Sequence, residues 1–351
     1  MQVITYLDKE KWNSIVKSFL KWDIYYLHEY AVSFMKHGDG YPLLFYYEDI
    51  NCRLCYVAML NDISQIKVFG GELPTSKYFD LTTPYGYGGP IIEGNFDALS
   101  QKKFMNELND YCKQNNIVSQ FVRFHPLLNN YIHMKDICEI SQIKETIVID
   151  TATPEVINNN MDSKNRNMIR KAPKKGVSIK RDTGKHIDEF IKIYEATMED
   201  NCASSYYFFE REYYDYLIKE MSNNTVYFYS YVDDIMISAA IFFYNEKYMH
   251  YHLSGMLKEY RNMASMNLLL NEAAVWAFKH GIKFLHLGGG VSATDGLYKF
   301  KKQFNKNGKL PFYIGRNIFN KKVYDELLNI RKKIDSNFNV KNSHFIQYRK
   351  E

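Results

Sequence analysis

The sequence predicts an α/β protein built as two halves, each a mixed sheet flanked by helices, and three observations carry that reading. At 351 residues the chain exceeds the size at which a single core stops growing, so two domains of roughly 150 to 180 residues are expected. A β-loop-α-β order of hydrophobic patterns appears twice, with strands around Phe121 and Phe284 in corresponding places. Between the copies, TATPEVINNN at Thr151 to Asn160 sets a proline and an asparagine run behind the strand-like KETIVID. Domains are therefore expected at 1–150 and 151–351, the second closing in a C-terminal helix. Residue identity between the halves is negligible, so the duplication lies in the order of elements.

The first half opens with an amphipathic helix at 11–22, then alternates in strand fashion over 41–69 around YYED and LNDI turns. The turn-rich DLTTPYGYGGP (Asp80 to Pro90) leads to a helix over 97–115 and to the strand VSQFVRF, which ends at His125-Pro126. In the second half a helix carries KNRNMIRKAPKK, and strands succeed it at 225–231, 235–244 and 247–255. YRNMAS then opens a helix over 264–280, and KFLHL is the next strand. No low-complexity tract, heptad series or short repeat is visible.

Hydrophobic residues make up 46% and charged residues 24% of the chain, which excludes a mostly disordered protein. The net charge of +5 is too mild to demand a nucleic-acid partner, so local clusters matter more. Five scattered cysteines form no even disulfide framework and fit a reducing compartment. The opening MQVITYLDKEKWN lacks a signal pattern, and no run approaches the ~18 apolar residues of a membrane span. We expect a cytoplasmic protein, with peripheral contact at the inner membrane face left open.

Met266, Leu269, Leu270, Ala273 and Ala277 form a core stripe on the 264–280 helix, with Asn262 or Ser265 as its cap. Its N-terminus comes after Arg261 and is where an α/β acyltransferase would hold anionic donor groups. YRNMAS has no glycine there, and an ordinary capped helix is the other reading.

The most informative stretch is LGGGVSATDGLYKFKKQF. Gly288, Gly290 and Ala293 match G-x-G-x-x-A, but the helix behind them is short and no acidic residue lies about 20 positions on, so a dinucleotide site is rejected. Leu297, Phe300, Lys301 and Phe304 fall at i, i+3, i+4 and i+7, which puts one lysine on an apolar stripe. Lys299 and Lys302 fall off it and read as solvated charge. A buried Lys301 needs an anionic partner or a shifted pKa; otherwise its head reaches back to water. If functional, it binds a phosphate or the oxyanion that forms when an amine attacks a carbonyl, with backbone amides near Ser254 to Met256 or Gly288 to Gly290.

Three glycines and two prolines specify the shape of the loop Thr82 to Pro90, so Tyr85 and Tyr87 are candidates to face a ligand. Lys164, Arg166, Arg170, Lys171, Lys174 and Lys175 either attract phosphates or form a solvated helix face, with Arg166 and Arg170 the better clamp. His250 and His252 lack further ligands for a metal and read as packed, and Cys52-x-x-Cys55 lacks a second pair, so no metal is expected. No nucleophile signature occurs. Direct attack by a substrate amine suits the sequence better than a covalent enzyme intermediate.

Several segments together resemble the FemABX family of aminoacyltransferases and similar GNAT-like acyltransferases found beside cell-envelope genes. They are PYGYGGP at 84–90, FVRFHP at 121–126, NMIRKAPKKGV at 167–177, FFEREYYDYL at 208–217, and HLGGG with DGLYKFKKQF at 286–304. The resemblance implies tandem GNAT-like domains and transfer of an amino acid from aminoacyl-tRNA to the peptide of a peptidoglycan precursor. By the same resemblance Phe300 and Lys301 are catalytic, and the loop around Tyr85 and the pair Arg211 and Tyr214 bind substrate; Tyr87 on that loop and Arg166 and Arg170 of the basic run are expected beside them from the residues themselves. The helix start behind Arg261 and the turn Gly288, Gly289 and Gly290 are expected, on the physical grounds given above, to bind the donor, and the acidic residue that the resemblance places after the loop is Glu93. No long charged hairpin of the tRNA-binding kind interrupts the second half. The expected partners are a nucleotide-linked or lipid-linked cell-wall precursor and tRNA, with no tightly bound cofactor. Acetyl-CoA as donor to an amino sugar, and a non-catalytic precursor-binding module, are the alternatives.

Overall fold

Hydrophobic patterning in the first half resolves into β1 (Gln2–Thr5), α1 (Lys9–Ser18), α2 (His28–His37), β2 (Tyr41–Glu48), β3 (Cys52–Asp62), β4 (Phe79–Thr82), β5 (Ile91–Gly94), α3 (Ala98–Gln114) and β6 (Ile117–Arg123). The computed structural model describes residues 1–290, 292, 295–342 and 344–350. Asp8 caps α1 by accepting from the Lys11 amide at 3.1 Å, and Asp97 caps α3 through the Ser100 amide at 2.9 Å. Phe104, Leu108 and Cys112 form the buried stripe of α3. The alternation expected over 41–69 is a hairpin only as far as Asp62. Asp62 then accepts from the Ser64 amide at 3.0 Å and starts two short 3₁₀ turns, which bury Ile63 and Phe69.

The chain continues through β7 (Glu139–Asp150), α4 (Pro154–Asn160), α5 (Ser163–Lys174), β8 (Ser178–Asp182), α6 (Ile187–Asp200), α7 (Arg211–Glu220), β9 (Thr225–Val232), β10 (Ile235–Tyr244), β11 (Tyr248–Met256), α8 (Ser265–Lys279), β12 (Phe284–Gly288) and α9 (Gly296–Lys302). It ends with β13 (Lys309–Ile318) and α10 (Lys321–Ile334). The stretch read as the boundary between the halves holds α4, because Thr153 accepts from the Val156 amide at 3.2 Å and Pro154 fills the first helical turn.

Two compact units result, residues 1–143 with 312–351, and residues 144–311. They differ from the halves drawn from the sequence in that 312–351 return to the first unit. Its strands run in the order β1-β2-β3-β4-β6-β13, with β5 on β3. β4 and β6 are parallel and joined through α3, since a parallel pair needs a long crossover. Asp80 on β4 is 1% exposed and accepts from Arg349 Nε at 2.8 Å and the Tyr348 hydroxyl at 2.7 Å. That hydroxyl also pairs with Ser119 Oγ at 2.8 Å.

The second unit has the strand order β7-β12-β11-β10-β9-β8. Here β11 and β12 are the parallel pair and α8 is the crossover. The chain is thus an α/β mixed-sheet fold in which the β-loop-α-β order is duplicated. The expected stripe of α8 is buried with Phe228, Phe242 and Leu285. Neither Asn262 nor Ser265 caps this helix. Ala264, at φ 58°, precedes it with no side-chain cap bond. Among the described residues, no helix is long and apolar enough to cross a membrane.

Candidate active site

The parallel strands of the second unit part company soon after they meet. β11 and β12 pair only from Tyr248 with Phe284 to His250 with His286. Beyond that β11 continues along β10, while β12 shifts register against β7 and stops at Gly288, whose φ of 70° turns the chain. The divergence leaves Tyr251 and Ser254 on one side and the Gly288–Gly290 turn on the other.

Asp295 organises the entry into α9. Its carboxylate accepts from the Ser292 amide at 2.7 Å and, as cap of the helix, from the Tyr298 amide at 2.6 Å. A β-carbon on Gly290 would drive into that carboxylate. Gly290→Ala is therefore expected to cost about 0.5–2 kcal/mol through loss of the cap. Unchanged melting would show that the carboxylate can move aside. Ala293, the last position of the G-x-G-x-x-A pattern, lies outside the described residues.

The stripe read from periodicity is rotated. Leu297 is 45% exposed, and α9 is only seven residues long. The inward positions are Tyr298 and Lys301, because the Tyr298 hydroxyl donates to the Glu145 carboxylate on β7. Phe300 is half-buried against Phe304, with ring centroids 5.4 Å apart.

Lys301 is 7% exposed, so its head does not reach back to water. Its Nζ donates to the Gly289 carbonyl at 2.8 Å and sits 5.4 Å from the centre of the Tyr251 ring. No carboxylate pairs with it among the described residues. Burial, and next the Lys144 charge, bring its pKa from the ordinary 10.5 to about 7, against the pull of Asp295. Lys144 donates to the next carbonyl, Gly290, at 2.8 Å. Glu145 also meets Lys309 at 3.2 Å, and the Tyr251 hydroxyl donates to Ser254. One amide proposed for the oxyanion is occupied, since Met256 N donates to Thr197 Oγ1 at 2.9 Å.

An ammonium poised near neutrality beside a strand divergence can donate to developing oxyanion charge and release a proton to a leaving oxygen. Of its surroundings, Asp295 carries a sequence signal, as a capping residue three positions before Tyr298. Lys144, Glu145 and Tyr251 carry none, because strand pairing alone brings them to Lys301.

The other expected residues lie elsewhere. In the second unit, Arg166 donates to the Asn158 carbonyl at 3.1 Å and to Met161, closing the end of α4. Arg170 is exposed. Arg211 binds Asp188 and, at 2.7 Å, Asp215, while Tyr214 is fully buried with no partner for its hydroxyl among the described residues. Arg261 is exposed in the 3₁₀ turn before α8. At the start of α8 the Ser265 hydroxyl is buried without a partner among the described residues. His252 is packed, bonded to the Tyr213 hydroxyl at 2.6 Å, and burial lowers its pKa to about 3.

In the first unit the Thr82–Pro90 loop is held firmly. Gly86 has φ 94° and no room for a β-carbon beside Tyr25. The Tyr85 carbonyl accepts from the Tyr30 hydroxyl at 2.5 Å, and its ring stacks on Phe34. Tyr87 meets Tyr25 edge-on, 5.5 Å away. Asn130 donates to the carbonyls of Gly88 and Pro90 at 2.9 and 3.1 Å. Glu93 is tied to Arg53 and to the Leu20 amide. Cys52 and Cys55 are buried, which pushes both thiols up and away from reactivity.

A sequence model of the FemAB family matches residues 132–233 and 219–324, more than half of the chain. No curated protein matches by sequence. In structure the chain is similar to FemX, with a TM-score of 0.66 and 13% identity over 93% of this chain and 99% of that one. It is also similar to a conserved protein of unknown function from Bacteroides thetaiotaomicron, with a TM-score of 0.59 and 11% identity over 89% of this chain and 97% of that one. At such identities the likeness shows the fold.

Proposed function

We infer the reaction from the premise that this chain belongs to the FemAB family. It is an acyltransferase of that type, acting in modification of a peptidoglycan or other cell-envelope precursor. We propose that the donor is an aminoacyl-tRNA, which sets the reaction in the cytoplasm, and that Lys301 is the catalytic residue. The carrying observation is the buried Lys301 ammonium, seated on Gly289 where β11 and β12 diverge.

The acceptor amine, once neutral, attacks the ester carbonyl, and the new C–N bond leaves charge on the carbonyl oxygen. Lys301 donates a hydrogen bond to that oxyanion. As the C–O bond breaks, Lys301 gives its proton to the departing ribose oxygen and recovers one from the newly formed amide nitrogen. A pKa of about 7 makes it a far stronger acid than an exposed lysine while half of it stays charged at neutrality. Phe300 holds α9 against the core.

Each half is proposed to be a GNAT-like domain, the parallel pair with its crossover helix being the repeated part. Exposed Arg170 and Arg261 are proposed to meet donor phosphates, along with the uncapped start of α8. Arg166 would join them only by giving up its carbonyl partners. Tyr85 and Tyr87 are proposed to contact the precursor from their rigid loop. Arg211 would have to exchange Asp188 and Asp215 for a substrate anion.

Mass spectrometry of a UDP-linked muramyl pentapeptide, incubated with charged tRNA or with acetyl-CoA, tests the reading. An amino-acid mass gain, absent with Lys301→Met, is expected. An acetyl gain would replace the donor, and precursor binding without product from either donor would favour a binding module.

A further inference from the structure

Two lysines occupy consecutive carbonyls of one turn, Lys301 on Gly289 and Lys144 on Gly290, each at 2.8 Å. They come from different elements, α9 and β7, so local sequence does not force them together. Two ammonium groups held on neighbouring carbonyls repel, and each disfavours the charged form of the other.

We propose that Lys144 is a positioning residue of the acyl-transfer site, which holds the Gly289–Gly290 turn and sets by its charge how tightly Lys301 keeps its proton. This rests on the reading of Lys301 as the catalytic acid. The groups facing Lys301 can be counted by element. β7 supplies Lys144 and Glu145, but Glu145 is engaged by Tyr298 and Lys309. The cap of α9 supplies Asp295, and the helix itself Tyr298 and half-buried Lys302. β11 supplies the neutral Tyr251, and the end of β12 supplies only glycines. Among the described residues, the opposed charges acting on Lys301 are therefore Lys144, which disfavours its ammonium, and Asp295, which favours it.

Removing a like charge favours the ammonium, so Lys144→Gln raises the pH at which Lys301 gives up its proton. Lys144→Arg keeps the charge and leaves that pH in place. Asp295→Asn, which retains a capping side chain, moves it the other way. The measurement is an NMR titration of the side-chain nitrogen of Lys301 in the full chain, assigned by its loss in Lys301→Met, run beside the pH profile of kcat. We expect a midpoint near 7 in the parent and with Lys144→Arg, about one pH unit higher with Lys144→Gln and lower with Asp295→Asn. The alkaline limb of kcat should move with it.

A Lys144→Gln midpoint that stays with the parent's, in a protein whose spectrum is otherwise native, overturns the proposal. A midpoint that moves while the kcat profile stays fixed upholds the control of Lys301 by Lys144 and overturns instead the assignment of Lys301 as the acid. Those two failures are therefore distinguishable.

Discussion

Lys301→Met yields a folded protein with kcat lowered about 100- to 1000-fold or more, and more stable than its parent at neutral pH. The loss follows from removing the donor to the oxyanion and the acid for the leaving oxygen. The gain follows from linkage. The folded pKa, about 7, lies below the 10.5 of the unfolded chain. Between those values the unfolded chain binds more protons, so the contribution of this lysine to stability rises with pH across that window. Its full cost is present below pH 7, where both states are protonated, has begun to fall at pH 7 and fades towards pH 10.5. At ~1.4 kcal/mol per pH unit that cost is at most about 4 kcal/mol at pH 7 and under about 2 at pH 9.5. Urea unfolding of parent and variant at both pH values reads it. A stability difference equal at pH 7 and 9.5 would mean that Lys301 is not held with a lowered pKa.

Asp80→Asn should strongly destabilise the first unit. The carboxylate is buried and receives Arg349 in two bonds and the Tyr348 hydroxyl in a third. Losing the charge leaves a guanidinium whose side chain is only 23% exposed with Asp39 as the remaining opposite charge acting on it, a defect that costs about 3 kcal/mol. Tyr348→Phe removes one neutral donor and leaves the ion pair, so it should cost only about 1 kcal/mol. Hydrogen exchange resolved by peptide separates the effects: protection in β4 and β6 should fall sharply with Asp80→Asn, while β9 and β10 keep theirs. Equal effects of the two substitutions would mean that the ion pair carries little of the unit's stability.

Both predictions turn on residues of different visibility in the sequence. The strands expected at 225–231, 235–244 and 247–255 form at Thr225–Val232, Ile235–Tyr244 and Tyr248–Met256, because turn residues bracket each apolar run. The helix expected over 97–115 forms at Ala98–Gln114 for the same local reasons. α2 has no signature in the sequence because its run from Tyr30 to Phe34 is buried on all sides and shows no period. Lys301 is legible from its place among aromatic residues, yet periodicity sets the face it shares one position off. Only the bond from Tyr298 to a strand over a hundred residues earlier decides how α9 is rotated. Lys144 and the Asp80–Arg349 pair depend on such distant pairings entirely, and no local pattern announces them.

The return of 312–351 to the first unit bears on how the protein is made. A ribosome produces residues 144–311 before it produces the strand and helix that complete the unit begun earlier. The second unit, continuous in the chain, can therefore close during synthesis, while the first waits with β6 unpaired on the edge that β13 will take. The part of the chain begun first is finished last, and through that interval it is the nascent segment most exposed to strand-edge aggregation and most in need of a chaperone.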